Sequence, residues 1–384
     1  MSDTSHIRRP ASGPLVGVRV LELGGVGPTP FTSMLLADLG ADVVRIDRPA
    51  GYDGGAPVAA RFHLLQRGKR SIALDLKDPA DVRTALDLAA HADIVIEGFR
   101  PGVAERLGVG PEQCLSVNPS VVYGRMTGYG QTGPLAAEPG HDIDYIALTG
   151  VLHSVGVAGG PPVIPLNLAG DFGGGSLYLV MGLLAAVIEA RTSGSGQVID
   201  AAMVDGAASL MTLFHGLREA GYWTDERGVN RLDSGAPWYS VYRAADGEYV
   251  AIGANEARFF SNLLDLLGID PADAGDQHDR AAWPRQRELI AAAIAAASRD
   301  EWAARAAGRE VCLAPVLTMG EAPAHPHLAA RGTYIEVDEV VQPAPAPRFS
   351  RTPGAVRNGP VEPGSDTAAV LEEWLAELPS RRTD

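Results

Sequence analysis

Three ionisable residues in this 384-residue chain stand where they could move a proton. His141 lies in Pro139-Gly140-His141-Asp142-Ile143-Asp144-Tyr145, directly ahead of an apolar stretch. Asp171 lies in Ala169-Gly170-Asp171-Phe172-Gly173-Gly174-Gly175, at the head of the most apolar helix of the chain. Glu256 ends Ile252-Gly253-Ala254-Asn255-Glu256, where a hairpin strand gives way to a helix. Histidine titrates near neutrality, and a carboxyl group buried against an apolar helix is pushed towards it. Such groups suit general acid–base work at neutral pH. Each also has a plainer reading. Asp171 and Glu256 fit the first turn of a helix, where the dipole favours an acid, and His141 fits a hydrogen-bonded core histidine. Taken singly, the plain reading is at least as good.

A second constellation is basic. Arg61, Arg67, Lys69 and Arg70 cluster ahead of an apparent strand at Ser71, and Arg45 and Arg48 end the strand before it. This excess stands out in a chain with formal charge −15. It reads either as a solvated loop or as a surface for a ligand with several anionic groups, bound off the carboxyl ends of sheet strands.

The elements that must position these residues alternate strand and helix. Strands are expected at Val18–Leu23, Asp42–Ile46, Ser71–Leu76, Asp93–Phe99 and Val121–Met126. A Gly/Pro loop at Gly24–Pro28 leads into a helix through Phe31, Met34, Leu35 and Leu39, and later helices open on Asp78-Pro79 and on Pro101. That alternation predicts an α/β fold with a large doubly wound parallel-sheet domain. A glycine-rich turn at Asp171–Gly175 leads into a helix from Ser176 to about Arg191, then a strand at Gln197–Met203 and a helix at Val204–Gly221. A hairpin at Tyr239–Arg243 and Tyr249–Ile252, with helices near 256–267 and 280–307, predicts a smaller α+β domain. The Pro-rich stretch 335–363 reads as an extended connection, closed by a helix at Asp366–Leu378. The expected division is a flexible tail at 1–13, a large domain at 14–225, a small one at 226–330, and a linker at 331–384 returning to the large domain.

Composition narrows the classes. An acidic surface repels nucleic-acid backbones and anionic lipid. The longest apolar run, Leu177–Ile188, is shorter than the about 20 residues that cross a bilayer. Two cysteines, Cys114 and Cys312, build no disulfide framework and read as buried thiols. The expectation is a cytoplasmic protein without nucleic-acid or membrane partners. A dinucleotide fingerprint is also wanting: Gly25-Val26-Gly27-Pro28-Thr29-Pro30 replaces the third glycine by proline, and two prolines remove backbone donors.

Longer motifs carry a resemblance. They are Gly13-Pro14-Leu15 through Glu22-Leu23; Ala37-Asp38-Leu39-Gly40-Ala41-Asp42 through Arg48-Pro49; Arg67-Gly68-Lys69-Arg70-Ser71; and Leu74-Asp75-Leu76-Lys77. Glu97-Gly98-Phe99-Arg100-Pro101-Gly102-Val103, Gly140-His141-Asp142, Asp171 to Gly175 and Ala314-Pro315-Val316 follow. Over about residues 13–355 the chain resembles the α-methylacyl-CoA racemases, within the family III (formyl-CoA transferase-like) CoA-transferase superfamily. The histidine segment, the later aspartate and the Asn255-Glu256 pair point to the racemases. Asp144 departs from the asparagine usual there, and either raises the basicity of His141 or faces solvent.

The resemblance implies the family III fold as an interlocked homodimer, with the site shared between subunits. It implies His141 and Asp171 as the two bases and Glu256 as the partner of the imidazole. Arg48, Arg67, Lys69, Arg70 and Leu74, Asp75, Leu76 and Lys77 are then expected to hold coenzyme A, with Arg106, Gly140, Asp142, Ile143, Asp144 and Tyr145 also at the substrate. No metal or separate cofactor is expected, because coenzyme A is part of the substrate. Inverting a carbon α to a thioester takes a proton from one face and returns one to the other, with backbone N–H groups at Asp171–Gly175 expected to stabilise the enolate. The alternative is a family III CoA-transferase with Asp171 as nucleophile; a third reading, a non-catalytic nucleotide-binding protein, has little beyond the failed glycine fingerprint.

Overall fold

Val20-Leu21, Val43-Val44 and Ile94-Val95-Ile96 are apolar without alternation and wholly buried, which is how strands covered on both faces read. The computed structural model describes residues 9–49 and 58–376. Parts of the expected tail and the end of the last expected helix lie outside them. In the described chain β1 (Arg19–Glu22), β2 (Asp42–Asp47), β3 (Arg70–Ala73), β4 (Ile94–Glu97), β5 (Val122–Thr127) and β6 (Val198–Ala202) form one sheet, ordered β3-β2-β1-β4-β5-β6. All five pairings are parallel.

Helices cover both faces. On one side α1 (Pro28–Asp38) and α7 (Leu177–Ser193) bring Leu36, Leu179 and Leu183 onto Val20, Val43 and Ile94. On the other, α2 (Pro79–Ala90), α4 (Pro111–Val117) and α15 (Thr367–Leu375) bring Leu88, Cys114, Val370 and Trp374 onto Leu21, Val44 and Val95. Asp78 caps α2, its side chain accepting the Ala80 N–H at 2.7 Å with Pro79 in the first turn. Short α3 (Val103–Arg106), α5 (Asp142–Leu148) and α8 (Met203–Leu210) complete this unit with the hairpin β10 (Tyr334–Val337) and β11 (Val340–Pro343).

The chain divides into two compact units. The sheet unit takes the described residues of Met1–Thr149, Leu166–Leu210 and Ala329–Asp384; the second takes Gly150–Pro165 and Met211–Leu328. Residues 150–165 and 211–225, expected in the large domain, thus belong to the second unit. There α6 (Val151–Ser154), α9 (Thr212–Glu219) and α11 (Pro271–Ala274) accompany the antiparallel strands β7 (Tyr239–Arg243), β8 (Tyr249–Gly253) and β9 (Leu313–Pro315). Its core packs α10 (Ala257–Leu267), α12 (Trp283–Ile294) and α13 (Arg299–Ala306) around Trp238. The long helix expected over 280–307 is broken because Ser298 starts a new one, its hydroxyl accepting the Glu301 N–H while Glu301 reaches back. α14 (Pro326–Ala330) stands where the chain leaves this unit.

Three other expectations change. The segment 335–363 holds the β10–β11 hairpin, so it is not wholly an extended connection. Cys114 is buried as expected, but Cys312 is exposed. Asp171–Gly175 is no turn ahead of a helix. It lies inside a π-helix, Leu168–Ser176, that runs straight into α7, the wide winding found at functional sites. The continuous helix Leu168–Ser193 is 26 residues, long and apolar enough to cross a membrane by length and composition, against the shorter run read from sequence. Its packing on β5, β6 and α1 makes it a layer of the sheet unit.

Candidate active site

His141 and Asp171 are brought together through the residue between them in function, Asp142. His141 occupies the N-cap of α5, where the Asp144 carboxylate accepts its backbone N–H at 2.9 Å. Asp144 therefore caps the helix. Asp142, first residue of α5, turns inward, and its Oδ1 accepts the N–H groups of Gly170 and Asp171, both at 2.7 Å. A Cβ on Gly170 would lie 2.5 Å from that oxygen, so only glycine fits there.

The Asp171 carboxyl accepts the Asn167 side-chain amide at 3.0 Å. On its other side stands Gly27, at φ +60°, where a Cβ would come within 3.1 Å of Oδ2. The Phe172 ring packs on Phe31 of α1, centroids 4.6 Å apart, and fixes the π-helix against α1. Burial raises the Asp171 carboxyl, the nearby Asp142 charge raises it further, and Asn167 and His141 draw it back only in part. A half-buried acid moved towards neutrality beside an exposed histidine can exchange protons with a bound carbon acid. Asp171 is therefore not a helix-capping acid. Nor does its segment offer the expected donors for an enolate. The Asp171 N–H is spent on Asp142, and the following ones lie in the π-helical ladder.

A cleft of about 470 Å³, which neither His141 nor Asp171 lines, opens in the same unit. It lies off the carboxyl ends of β1, β2, β3 and β4, where the strand order reverses between β1 and β4, the place open α/β sheets bind ligands. The Gly24–Gly27 loop borders the cleft with Gly24, Gly25 and Val26 and touches Asp171 through Gly27. Of the residues expected at coenzyme A, the structure places Arg48, Leu74, Asp75, Leu76 and Lys77 in the cleft wall. Arg100 lines it too, so Arg48, Lys77 and Arg100, all exposed, bring positive charge to the cleft. Arg100 was missed as a ligand residue. Its position just past the end of β4 was the available signal. Behind it, Glu97 accepts the Phe99 N–H at 2.6 Å and Arg125 Nε at 2.9 Å, while Arg125 also pairs with Glu105 at 2.8 Å.

Arg67, Lys69 and Arg70 of the basic cluster are not ligand contacts in this geometry. Arg67 grips Asp38 and donates to Gln342 and the Pro343 carbonyl. Lys69, with no exposed surface, donates to Glu22 at 2.9 Å, to the Pro30 carbonyl and to Gln66. Arg70 pairs with Asp42 and Glu373. Their charges are neutralised inside the fold, because a buried cation demands a partner. Arg106 is exposed, stands beside Gly102 and does not line the cleft. Tyr145 is buried and donates its hydroxyl to the Gly140 carbonyl, bracing the loop that carries His141. Asp142 is likewise turned inward, whereas Ile143 is exposed.

Glu256 belongs to the second unit, at the N-cap of α10. Its side chain makes no capping bond and is exposed.

The CoA-transferase family III model matches residues 15–367. The chain belongs to this family. It is 43% identical over 363 residues to α-methylacyl-CoA racemase of Mus musculus, covering 94% of this chain and 93% of that one. To α-methylacyl-CoA racemase of Homo sapiens it is 41% identical over 364 residues, with the same coverage. Among solved structures, a CAIB/BAIF family protein from Brucella suis superposes with a TM-score of 0.83 at 28% identity, covering 94% of this chain and all of that one. The six-stranded parallel sheet with its discontinuous sequence is thus a family III CoA-transferase fold.

Proposed function

We propose that this family III protein is an α-methylacyl-CoA racemase, interconverting (R)- and (S)-2-methylacyl-CoA thioesters. The observation that carries this reading is Asp171, tied through Asp142 to the helix that His141 caps and set beside the Gly24–Gly27 loop, which borders a cleft lined by cations. High identity to two racemases along nearly the whole chain supports it.

Neutral His141 takes the α-proton from one face. The C–H electron pair moves into the enolate, and protonated Asp171 delivers its proton to the other face. The enzyme is then left with a charged imidazole and a carboxylate, ready for the opposite enantiomer. Arg48, Lys77 and Arg100 attract the phosphates of coenzyme A. The chemistry needs no cofactor beyond the substrate's own coenzyme A, and the acidic composition suits the cytoplasm.

A second copy of the chain completes the assembly in this reading. Leu177, Met181 and Ile188 are 54%, 61% and 69% exposed on one stripe of α7, and so large an apolar stripe calls for cover. Sedimentation at micromolar concentration should show a dimer.

The deciding experiment incubates one enantiomer of a 2-methylacyl-CoA in deuterated buffer without an acceptor acid. Deuterium should enter the α-position as the optical activity decays. A transferase with an Asp171 nucleophile would exchange no α-proton and would yield a hydroxylamine-trappable anhydride.

A further inference from the structure

Asp142 is 6% exposed, and its two oxygens have unequal fates. Oδ1 accepts two backbone N–H groups, while Oδ2 is buried with no hydrogen-bond partner among the described residues. An ionised carboxylate left half satisfied is expensive. The fold spends this group where it meets both proposed bases: His141 precedes it in the chain, and the backbone of Asp171 hangs from it. We propose that Asp142 is the positioning residue of the site, holding Asp171 in place and supplying the negative charge against which that carboxyl takes up its proton. The proposal rests on the racemase reading for its kinetic test and on geometry alone for its structural one.

Two carboxylates sharing a site cannot both ionise freely, so the one whose charged form accepts fewer hydrogen bonds keeps its proton to higher pH. Here Asp142 accepts two backbone N–H groups and Asp171 one side-chain amide, so the proton stays on Asp171. The groups facing it leave Asp142 as the main charge. α5 contributes His141, Asp142 and the Tyr145 hydroxyl. α8 carries only Asp205, which is exposed. α1 carries Asp38, paired with Arg67, and α7 carries Glu189 and Arg191 at its far end. On β5 Arg125 is held by Glu97 and Glu105, and on β6 Asp200 accepts the Gln131 N–H.

Asp142→Asn keeps an oxygen for the two N–H groups and removes the charge. Asp142→Ser removes the charge with a smaller group, should the first variant melt early. With 2-methylacyl-CoA, kcat should fall about 10-fold with KM changed less than about twofold. The limb of the pH–rate profile that belongs to Asp171 should move about one unit to lower pH. A purely structural role would lower kcat and leave that limb in place, and this outcome overturns the proposal. A second measurement does not depend on turnover. The Asp171 carboxyl carbon, assigned by its loss in Asp171→Asn, is titrated by NMR in carboxyl-labelled protein. Its midpoint should drop in the Asp142 variants, and an unchanged midpoint refutes the charge role even if no racemase activity exists. Absence of α-exchange in the unaltered protein, with the midpoint shift intact, would instead sink the racemase reading.

Discussion

Arg67 and Asp38 face each other with two hydrogen bonds, 3.1 Å from Nε to Oδ1 and 2.6 Å from Nη2 to Oδ2, in a region closed to solvent. Arg67→Ala leaves Asp38 charged and unpaired, in a place where burial already raises its carboxyl. The loss should be about 3–5 kcal/mol of stability. Urea unfolding of the variant measures it. A selective rise in KM for the acyl-CoA, with stability unchanged, would show instead that Arg67 touches ligand.

The exposed cations at the cleft behave differently. Arg48→Ala and Arg100→Ala should each raise KM about 10-fold, since a charge-assisted hydrogen bond to phosphate contributes about 1.5–3 kcal/mol. The KM of the variants should also respond less to salt than that of the parent. Melting temperatures should move little. Initial rates at several sodium chloride concentrations check both points.

Lys69 and Glu22 give a pH signature. Burial pushes the Lys69 ammonium down to about 8, although Glu22 beside it pulls the other way. The unfolded chain then holds more protons than the folded one between about pH 8 and the ordinary lysine value, so this lysine makes stability rise with pH across that window. Burial opposes the charge on Glu22, yet Lys69 and the hydrogen bond from Ser33 hold its carboxyl below the usual range. Its contribution is present above the ordinary carboxyl value and lost as pH falls through the lower folded one. Subtracting the unfolding free energies of Glu22→Gln/Lys69→Met from those of the parent should give a difference that climbs in both windows. A flat difference would contradict the buried pair.

The two bases should separate by enantiomer. With one base on each face, as proposed, His141→Ala and Asp171→Ala should each abolish inversion. Each variant keeps one base, which can still remove and return a proton on its own side. Exchange into deuterated buffer should therefore survive for opposite enantiomers in the two variants, reduced about 100-fold or more. Equal loss for both enantiomers in both variants would refute the assignment of one base to each face.

The sheet was legible because its strands are continuous apolar runs and its helices announce themselves with Asp78-Pro79 or a proline at the first turn. His141 and Asp171 were legible as residues, but their link was not. Asp142 binds the backbone of Gly170 and Asp171, a contact between segments 28 and 29 positions apart that no local spacing encodes. The basic cluster misled for a related reason. Charge in a sequence does not say whether its partner is a ligand or an acid in the same fold, and Asp38, Glu22 and Asp42 lie 29, 47 and 28 positions from their cations. The π-helix was hidden because three successive glycines read as a turn, whereas their small size lets a widened helix pack closely.

Trp374 buries its ring against the sheet and donates its indole N–H to Asp42, which also holds Arg70 of β3. The strands it seals are made within the first 130 residues of the chain, while the seal waits for Thr367–Leu375. A nascent chain therefore leaves the ribosome with one face of its first sheet unfinished until the last turn of α15 is made. Contacts of such long sequence separation form late. Prematurely terminated products keep apolar surface open, which makes them substrates for chaperones and proteases.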